Sequence, residues 1–297
     1  MTASAAASGL NVAGFADKLR ELMLAKIAAD KLVLPPMPTT ASRVMEMLDR
    51  GNPDTSRVTS VLESDPVMSL DILRIANSAL YSPKVPIDSL NRAVSQIGQR
   101  NLRNVLTAAA ARRIFNSRNP EVRDIFNKLW EHSVAVAIAA RQIAVHAALE
   151  DKDVPYMAGL LHDVGKPVVG SHLLELERAV ARSRSGRWLD TDTWMQLVDG
   201  LHRDVGLAIA RKWKLPEAVC QAIEDCVEYD AADRKSSANA VRFANALAKR
   251  EGVVAGEADI VQVNTVLMIG RSILGLEDEA IASMASAVHE AAAGLEA

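Results

Sequence analysis

Residues Tyr156–Lys166 read YMAGLLHDVGK, an apolar run that closes on a histidine, an aspartate and a lysine. Met157, Leu160, Leu161 and Val164 recur three and four residues apart, the spacing of one buried helical face. Gly165 can take the positive φ that ends a helix, so His162 and Asp163 are expected at the end of a buried helix. Successive helical side chains point about 100° apart, so the two reach one cation only near such an end, with further ligands arriving from other helices.

The remainder of the chain is helical in character as well. Hydrophobic residues make up 49% of the 297 and aromatics only 4%, a balance that suits helices packed on helices better than sandwiches of aromatic and β-branched strands. No alternating strand pattern of convincing length and no internal repeat interrupts it. The expected class is all-α, a multi-helix bundle. A formal charge of -3, from 34 basic and 37 acidic residues, gives no global pull towards nucleic acid. Cys220 and Cys226 are too few and wrongly spaced for a disulfide framework or a metal clip, which fits a reducing compartment. No basic residue precedes Lys18 and no apolar core of a signal peptide follows. Val134–Leu149, interrupted by Arg141, Gln142 and His146, is too short to span a bilayer. A cytoplasmic protein without membrane contact is expected.

Working outward, residues 1–13 are small and polar and read as a disordered tail, and residues 14–31 as a lead-in helix carrying Phe15, Leu19, Leu22 and Ile27. Three prolines in LVLPPMPTTASRV, Leu32–Val44, forbid helix and leave an extended strap, after which Thr39, Thr40 or Ser42 can cap the next helix. Asp54 or Ser56 caps another. Asp65–Pro66 is a start signal, the aspartate accepting N–H bonds at the N-cap and the proline filling the first turn. Asn77 and Ser78 end that helix with side chains able to satisfy its free carbonyls or a neighbouring strap. Helices are then expected over Leu90–Ile97, Leu102–Phe115, Ile125–Ala148, Tyr156–His162, His172–Arg184, Asp192–Lys212, Pro216–Val227, Ser237–Arg250 and Asp259–Leu295, the last broken near Gly275. Trp130, Trp188, Trp194 and Trp213 are read as packing residues.

A hydrolytic centre of the dyad's type needs imidazole and carboxylate ligands from several helices to hold a divalent ion that acidifies a bound water. Candidates for the missing ligands are His132, His172, His202 and the Asp225 region. The alternative is a buried, mutually bonded pair oriented by His132. Lys166 follows the helix end, where a cation favours the macrodipole, and could otherwise meet a phosphate. Asn91–Arg118 carries six arginines and no acid; Arg100 and Arg103, one turn apart, could grip a phosphate or an acidic partner together. Without aromatic interleaving or a DNA-binding motif, nucleic acid is not an expected partner.

Several stretches taken in order resemble the HDOD family, the HD-related output domains of bacterial signalling proteins. They are LPPMP (Leu34–Pro38), ESDPVMSLDILRIANSALYS (Glu63–Ser82), AVSQIG (Ala93–Gly98), LWEHSVAVA (Leu129–Ala137), GLLHDVGK (Gly159–Lys166) and VGLAIARKWKLPEAVCQAI (Val205–Ile223). The resemblance covers roughly residues 32–230, and Asn77–Ser78 after the helix begun at Asp65–Pro66 is its specific part. It implies an all-helical domain in two parts, a helical N-terminal part over about 32–120 and an HD-like part over about 121–230, with 231–297 a helical extension packed on the HD-like part.

By that resemblance His132, His162 and Asp163 match the first three metal ligands of the HD pattern, while the closing aspartate falls where this chain has Asn245. His202 with Gly206 resembles an element of the HD-GYP phosphodiesterases, but the paired histidines expected after Ile223 are absent. The resemblance therefore implies a regulatory domain without hydrolase activity, with a vestigial trio that holds a divalent metal weakly if at all and no other cofactor. A free-standing output or adaptor module acting on a signalling protein partner is expected. A non-hydrolysing sensor of a nucleotide second messenger such as cyclic di-GMP is the alternative, using Arg100, Arg103 and Lys166, and an active metal-dependent phosphohydrolase the next. The Ala-rich helices from Val241 onward could pack internally or against a second copy.

Overall fold

Each helix starts where the chain offers its free N–H groups a partner. In a computed structural model that describes residues 12–29, 31–51, 53–78, 81, 83–181 and 191–296, the elements are helices, with no strand among the described residues. They are α1 (Val12–Ala28), α2 (Thr39–Asp49), α3 (Thr55–Glu63), α4 (Pro66–Asn77), α5 (Leu90–Phe115), α6 (Pro120–His146) and α7 (Asp153–Leu161). There follow α8 (Gly165–Ala181), α9 (Thr191–Lys212), α10 (Glu217–Asp225), α11 (Ser237–Arg250), α12 (Ile260–Leu274) and α13 (Asp278–Glu296). The disordered tail and Trp188 of the sequence reading lie outside the described residues, except that Val12 and Ala13 already belong to α1. None of the described helices is long and apolar enough to cross a membrane.

The expected caps are found at two positions and missing at one. Asp54 accepts from the Ser56 N–H at 3.1 Å, and Asp65 from Met68 N–H at 3.0 Å with Pro66 in the first turn. Asn119 is the N-cap of α6, with Pro120 in the first turn, so this helix begins five residues before the Ile125 expected for it. At α2 the expected threonine or serine cap is absent: Pro38 is the N-cap, with φ -53° and ψ 136°, and Thr39 and Thr40 are already helical, so no side chain caps the helix. Gly98, at φ 73°, kinks α5 in the left-handed region open to glycine.

Two apolar cores result. The smaller joins α2, α3, α4 and α5 through Val44, Leu62, Met68, Ile72, Ile97 and Leu106. The larger is centred on α6, whose Val136, Ala139, Ala140 and Ile143 are fully buried against α7, α11 and α13. Alanines on α6 and α11 leave room for the helix axes to approach, while each fully buried Ile or Leu contributes about 1.5–3 kcal/mol. Met37 of the strap and Ile75 of α4 touch both cores. The strap is held at the end of α9: Trp213 Nε1 donates to Pro35 O at 3.0 Å and Lys212 Nζ to Leu34 O at 3.2 Å. Trp130 is buried against Phe115, their rings 5.5 Å apart.

Asn77 ties the end of α4 to the segment before α5. Its amide donates to Leu73 O and Ile87 O at 2.9 and 2.8 Å, and its Oδ1 accepts from Ile87 N at 2.8 Å, while Ser78 Oγ donates to Ile75 O. Asp65 also receives Arg113 at 2.8 Å, which links the start of α4 to α5.

A candidate metal centre

Four helices bring three imidazoles to one carboxylate. Asp163, in the turn between α7 and α8, is 3% exposed, and its Oδ2 lies 3.4 Å from His162 Nε2 and 3.9 Å from His132 Nε2. Its Oδ1 lies 3.5 Å from His202 Nε2 on α9. His132, from the middle of α6, and His162 are buried to 2% and 5% exposure.

All three rings are turned the same way. Each Nδ1 sits on a backbone carbonyl, His132 on Val253 O and His162 on Gly159 O at 2.7 Å, and His202 on Asp199 O at 2.8 Å. A carbonyl only accepts, so each Nδ1 carries the proton and donates it, and each Nε2 presents its lone pair to Asp163. Burial lowers the pKa of all three, His162 to about 3, and keeps them neutral. Burial alone would raise the pKa of Asp163, but the surrounding His162, Lys166, His202 and His132 outweigh it and hold the carboxyl well below its usual range. Lys166 is the standing cation of that group.

Lone pairs converging on an anion repel unless a cation lies between them. Nδ1 held by a backbone carbonyl with Nε2 free is the arrangement that orients imidazole for a metal. The ligand atoms of His132, His162 and Asp163 lie within 4.8 Å of one another, and the Nε2 atoms of His132 and His162 are buried without a hydrogen-bond partner. The donor set therefore fits a divalent ion. Asn245, one helical turn before Lys249 on α11, has a neutral amide Oδ1 that is also buried without a partner.

The close approach of α8 and α9 brings His202 in. Gly165 was expected to end a helix at positive φ; instead it begins α8 with ordinary φ, and its role is steric. A Cβ there would stand 1.8 Å from His202 O and 2.9 Å from Gly206 N. Lys166 does not follow a helix C-cap either. It lies in the first turn of α8, where its Nζ reaches Asp163 Oδ2 at 3.0 Å and Asp199 Oδ1 at 3.5 Å. Two acids close by, rather than the macrodipole, decide its place, and they raise its pKa against the effect of burial.

Other sequence candidates stand elsewhere. His172 faces Glu175 at 3.8 Å, and Asp225 takes a hydrogen bond from Gln221. Arg103 is paired with Asp49, and the side chain of Arg100 lies outside the described part of the structure. A cleft of about 130 Å³ opens above the trio. Phe126, Leu129, Trp194 and Met195 wall it, with Lys166, Asp199, Lys249 and residues 254–257 completing the lining. Asp199, Lys249 and the Val253 carbonyl were not singled out from the sequence. Asp199 precedes His202 by three residues, a spacing that could have flagged it, but the other two carry no local signal.

Comparisons with known proteins agree with this architecture. The HDOD domain profile matches residues 34–228. A Shewanella amazonensis chain provisionally named a metal-dependent phosphohydrolase is 25% identical, with a TM-score of 0.68 over 94% of this chain and 99% of its own. An HDOD domain protein of unknown function from Geobacter sulfurreducens is 24% identical, with a TM-score of 0.66 over 94% of this chain and 98% of its own. An uncharacterized protein of Treponema pallidum (strain Nichols) is 26% identical over 204 residues, 67% of this chain; the match spans 39% of that relative's length. From the profile match, which takes in the strap, the Asp65–Asn77 helix and the histidine–aspartate centre, the chain belongs to the HDOD domain family.

Proposed function

We propose that this chain is the output module of a bacterial signalling system, acting through contacts with a protein partner, and that its histidine–aspartate centre holds a divalent ion without hydrolysing a substrate. His132, His162 and Asp163 would hold the ion, with His202 beside them, and a bound divalent ion supplies a water of lowered pKa. The observation that carries the non-catalytic reading is the single carboxylate of the trio: Asp163 is already shared with Lys166 at 3.0 Å, and the resemblance puts a neutral amide, Asn245, at the position of the closing aspartate. An ion held by neutral imidazoles and one shared anion is bound less tightly than one held by two carboxylates.

The membership in a family of regulatory domains supports the signalling role. The sensor alternative has less behind it. A cleft of about 130 Å³ is well below the roughly 300–1,000 Å³ usual for small-molecule pockets, and Arg103 is engaged by Asp49.

The test is to load the purified protein with Mn²⁺, measure metal per chain, and assay cyclic di-GMP, (p)ppGpp and deoxynucleotides for turnover. Binding of metal that is lost in His162→Ala, with no turnover, is the expected result. Turnover abolished by His162→Ala would overturn the non-catalytic reading, and no bound metal in the wild-type protein would overturn the ion.

A further inference from the structure

Away from the histidine–aspartate centre, the neighbouring helices α2 and α3 leave a groove of about 520 Å³ between them. Arg43, Glu46, Met47 and Arg50 line it from α2, at the three-, four- and seven-residue spacing of one helix face. Arg57 and Val61 line it from α3.

Three arginines thus face one glutamate. Glu46 reaches only Arg50, at 3.8 Å, and both side chains are mostly exposed. The other acids at this end of the helices are committed: Asp49 is paired with Arg103 of α5, and Asp54 caps α3, accepting from the N–H and the Oγ of Ser56. Arg43 and Arg57 make no hydrogen bond or ion pair among the described residues, and Arg57 only helps to lower the pKa of Asp54. In a chain of net charge -3 the groove is a local surplus of positive charge, set beside two half-buried apolar side chains, Met47 and Val61. Its frame is pinned. Gln99 Nε2 donates to Pro53 O at 2.7 Å, and with the Arg103–Asp49 pair it holds the α2–α3 connection on α5.

We propose that this groove is where the module meets its protein partner, and that the partner presents an acidic helix. Its carboxylates would lie on Arg43, Arg50 and Arg57, and an apolar side chain over Met47 and Val61. The inference rests on the proposed action through a protein partner and names the chemistry of that partner. Every cation of the groove is arginine, whose planar fork takes a carboxylate bidentately. Arginine and methionine are enriched in protein interfaces, where lysine is depleted. Arg43 and Arg50 stand two turns apart, about 10 Å along the axis, which matches acids seven residues apart on an opposing helix. A nucleotide fits less well, because no aromatic side chain lines the groove to stack on a base. The strap that leads into α2 is bonded to the end of α9, the helix that carries His202, so a short run of chain joins the groove to the centre.

Fluorescence anisotropy tests this with a labelled helical peptide of Ala, Leu and Glu, about 18 residues long with acids on one face. The peptide should bind with a Kd of about 100 μM or tighter, and more weakly as salt rises from about 50 to about 300 mM. Arg43→Glu combined with Arg57→Glu should weaken it at least about tenfold. Arg118→Glu with Arg123→Glu, the same change of charge on exposed arginines elsewhere, should stay within about threefold of wild type. Arg43→Lys with Arg57→Lys keeps the charge, loses the fork and should fall between the two. All four arginines are exposed, so the variants should fold, which circular dichroism checks. No binding by the wild-type protein, equal affinity in Arg43→Glu with Arg57→Glu, or an equal loss in the control pair would overturn the proposal. Displacement of the peptide by cyclic di-GMP would overturn it in favour of the sensor. A pull-down from a lysate of the source organism separates the two readings. Protein retained equally by wild type and by Arg43→Glu with Arg57→Glu removes the groove and leaves the adaptor role; no protein retained by wild type removes the adaptor role and the groove with it.

Discussion

Replacing Gly165 by alanine places a methyl carbon where there is no room for it. The new Cβ would stand 1.8 Å from His202 O, 2.7 Å from His202 C and 2.9 Å from Gly206 N, all backbone atoms that cannot rotate away. Ordinary contact needs about 3.4 Å, so α8 and α9 must part by about 1.6 Å at this point. That movement carries the imidazole of His202, now 3.5 Å from Asp163, out of reach of the carboxylate. The expected cost lies at the upper end for overpacking, about 3 kcal/mol, which for a chain of this size lowers Tm by about 5 °C. Gly200, also on α9, is the internal control. Nothing lies within 4 Å of a Cβ there and its φ is ordinary, so Gly200→Ala should gain helix propensity and stabilise by about 0.5–1 kcal/mol. Urea unfolding of the two variants, followed by circular dichroism, reads both signs in one experiment. A Gly165→Ala variant within 0.5 kcal/mol of wild type would refute the close approach that brings His202 to the centre.

Further outcomes follow from the same geometry. In the metal-free protein His162 stays neutral down to about pH 3 because it is buried, whereas the unfolded chain protonates it near 6.5. Below pH 6.5 the unfolded state then binds the extra proton, so stability falls on acidification by about 1.4 kcal/mol per unit from this residue, or about 2 kcal/mol at pH 5. His132 and His202 shift the same way and steepen the loss, while between pH 7 and 8 the contribution is flat; urea midpoints that hold steady from pH 7 to pH 5 would contradict it. Asn77→Ala removes three hydrogen bonds, two of which join α4 to Ile87, and should cost about 2–3 kcal/mol in the same assay, with Asn77→Asp no better because a carboxylate cannot donate to Leu73 O or Ile87 O. Asp65→Ala loses the cap of α4 and the Arg113 pair together, about 2 kcal/mol, whereas Asp65→Asn keeps the cap and should cost about half as much.

Much of the fold could be read along the chain because its causes are local. A cap needs an acceptor within three residues of the N–H it satisfies, and Asp54 and Asp65 fulfil that at 3.1 and 3.0 Å. Breaks at Gly98 and Gly275 follow from glycine's access to positive φ, and the apolar spacing of Val134–Leu149 is that of the buried α6. The cap expected among Thr39, Thr40 and Ser42 failed because the preceding proline already has the extended dihedrals of a cap.

The centre divides along the same line. His162 and His202 are each turned by a carbonyl three residues back, at Gly159 and Asp199, an orientation set within one helical turn. His132 is turned by Val253, 121 residues away, and Lys249 reaches the cleft from α11, 83 residues beyond Lys166 with no local signal to mark it. Gly165 shows the difference at a single residue: its freedom of φ was legible, but its use, as the space through which α9 approaches, exists only once the two helices pack. The sequence alone determined helices, caps and the histidine–aspartate pair, since periodicity and hydrogen bonding within a turn are properties of neighbours. The tertiary structure alone decided that three imidazoles and two lysines share one small space. Which distant side chains meet depends on how closely backbones can approach, a sum over many packed residues that no single stretch carries.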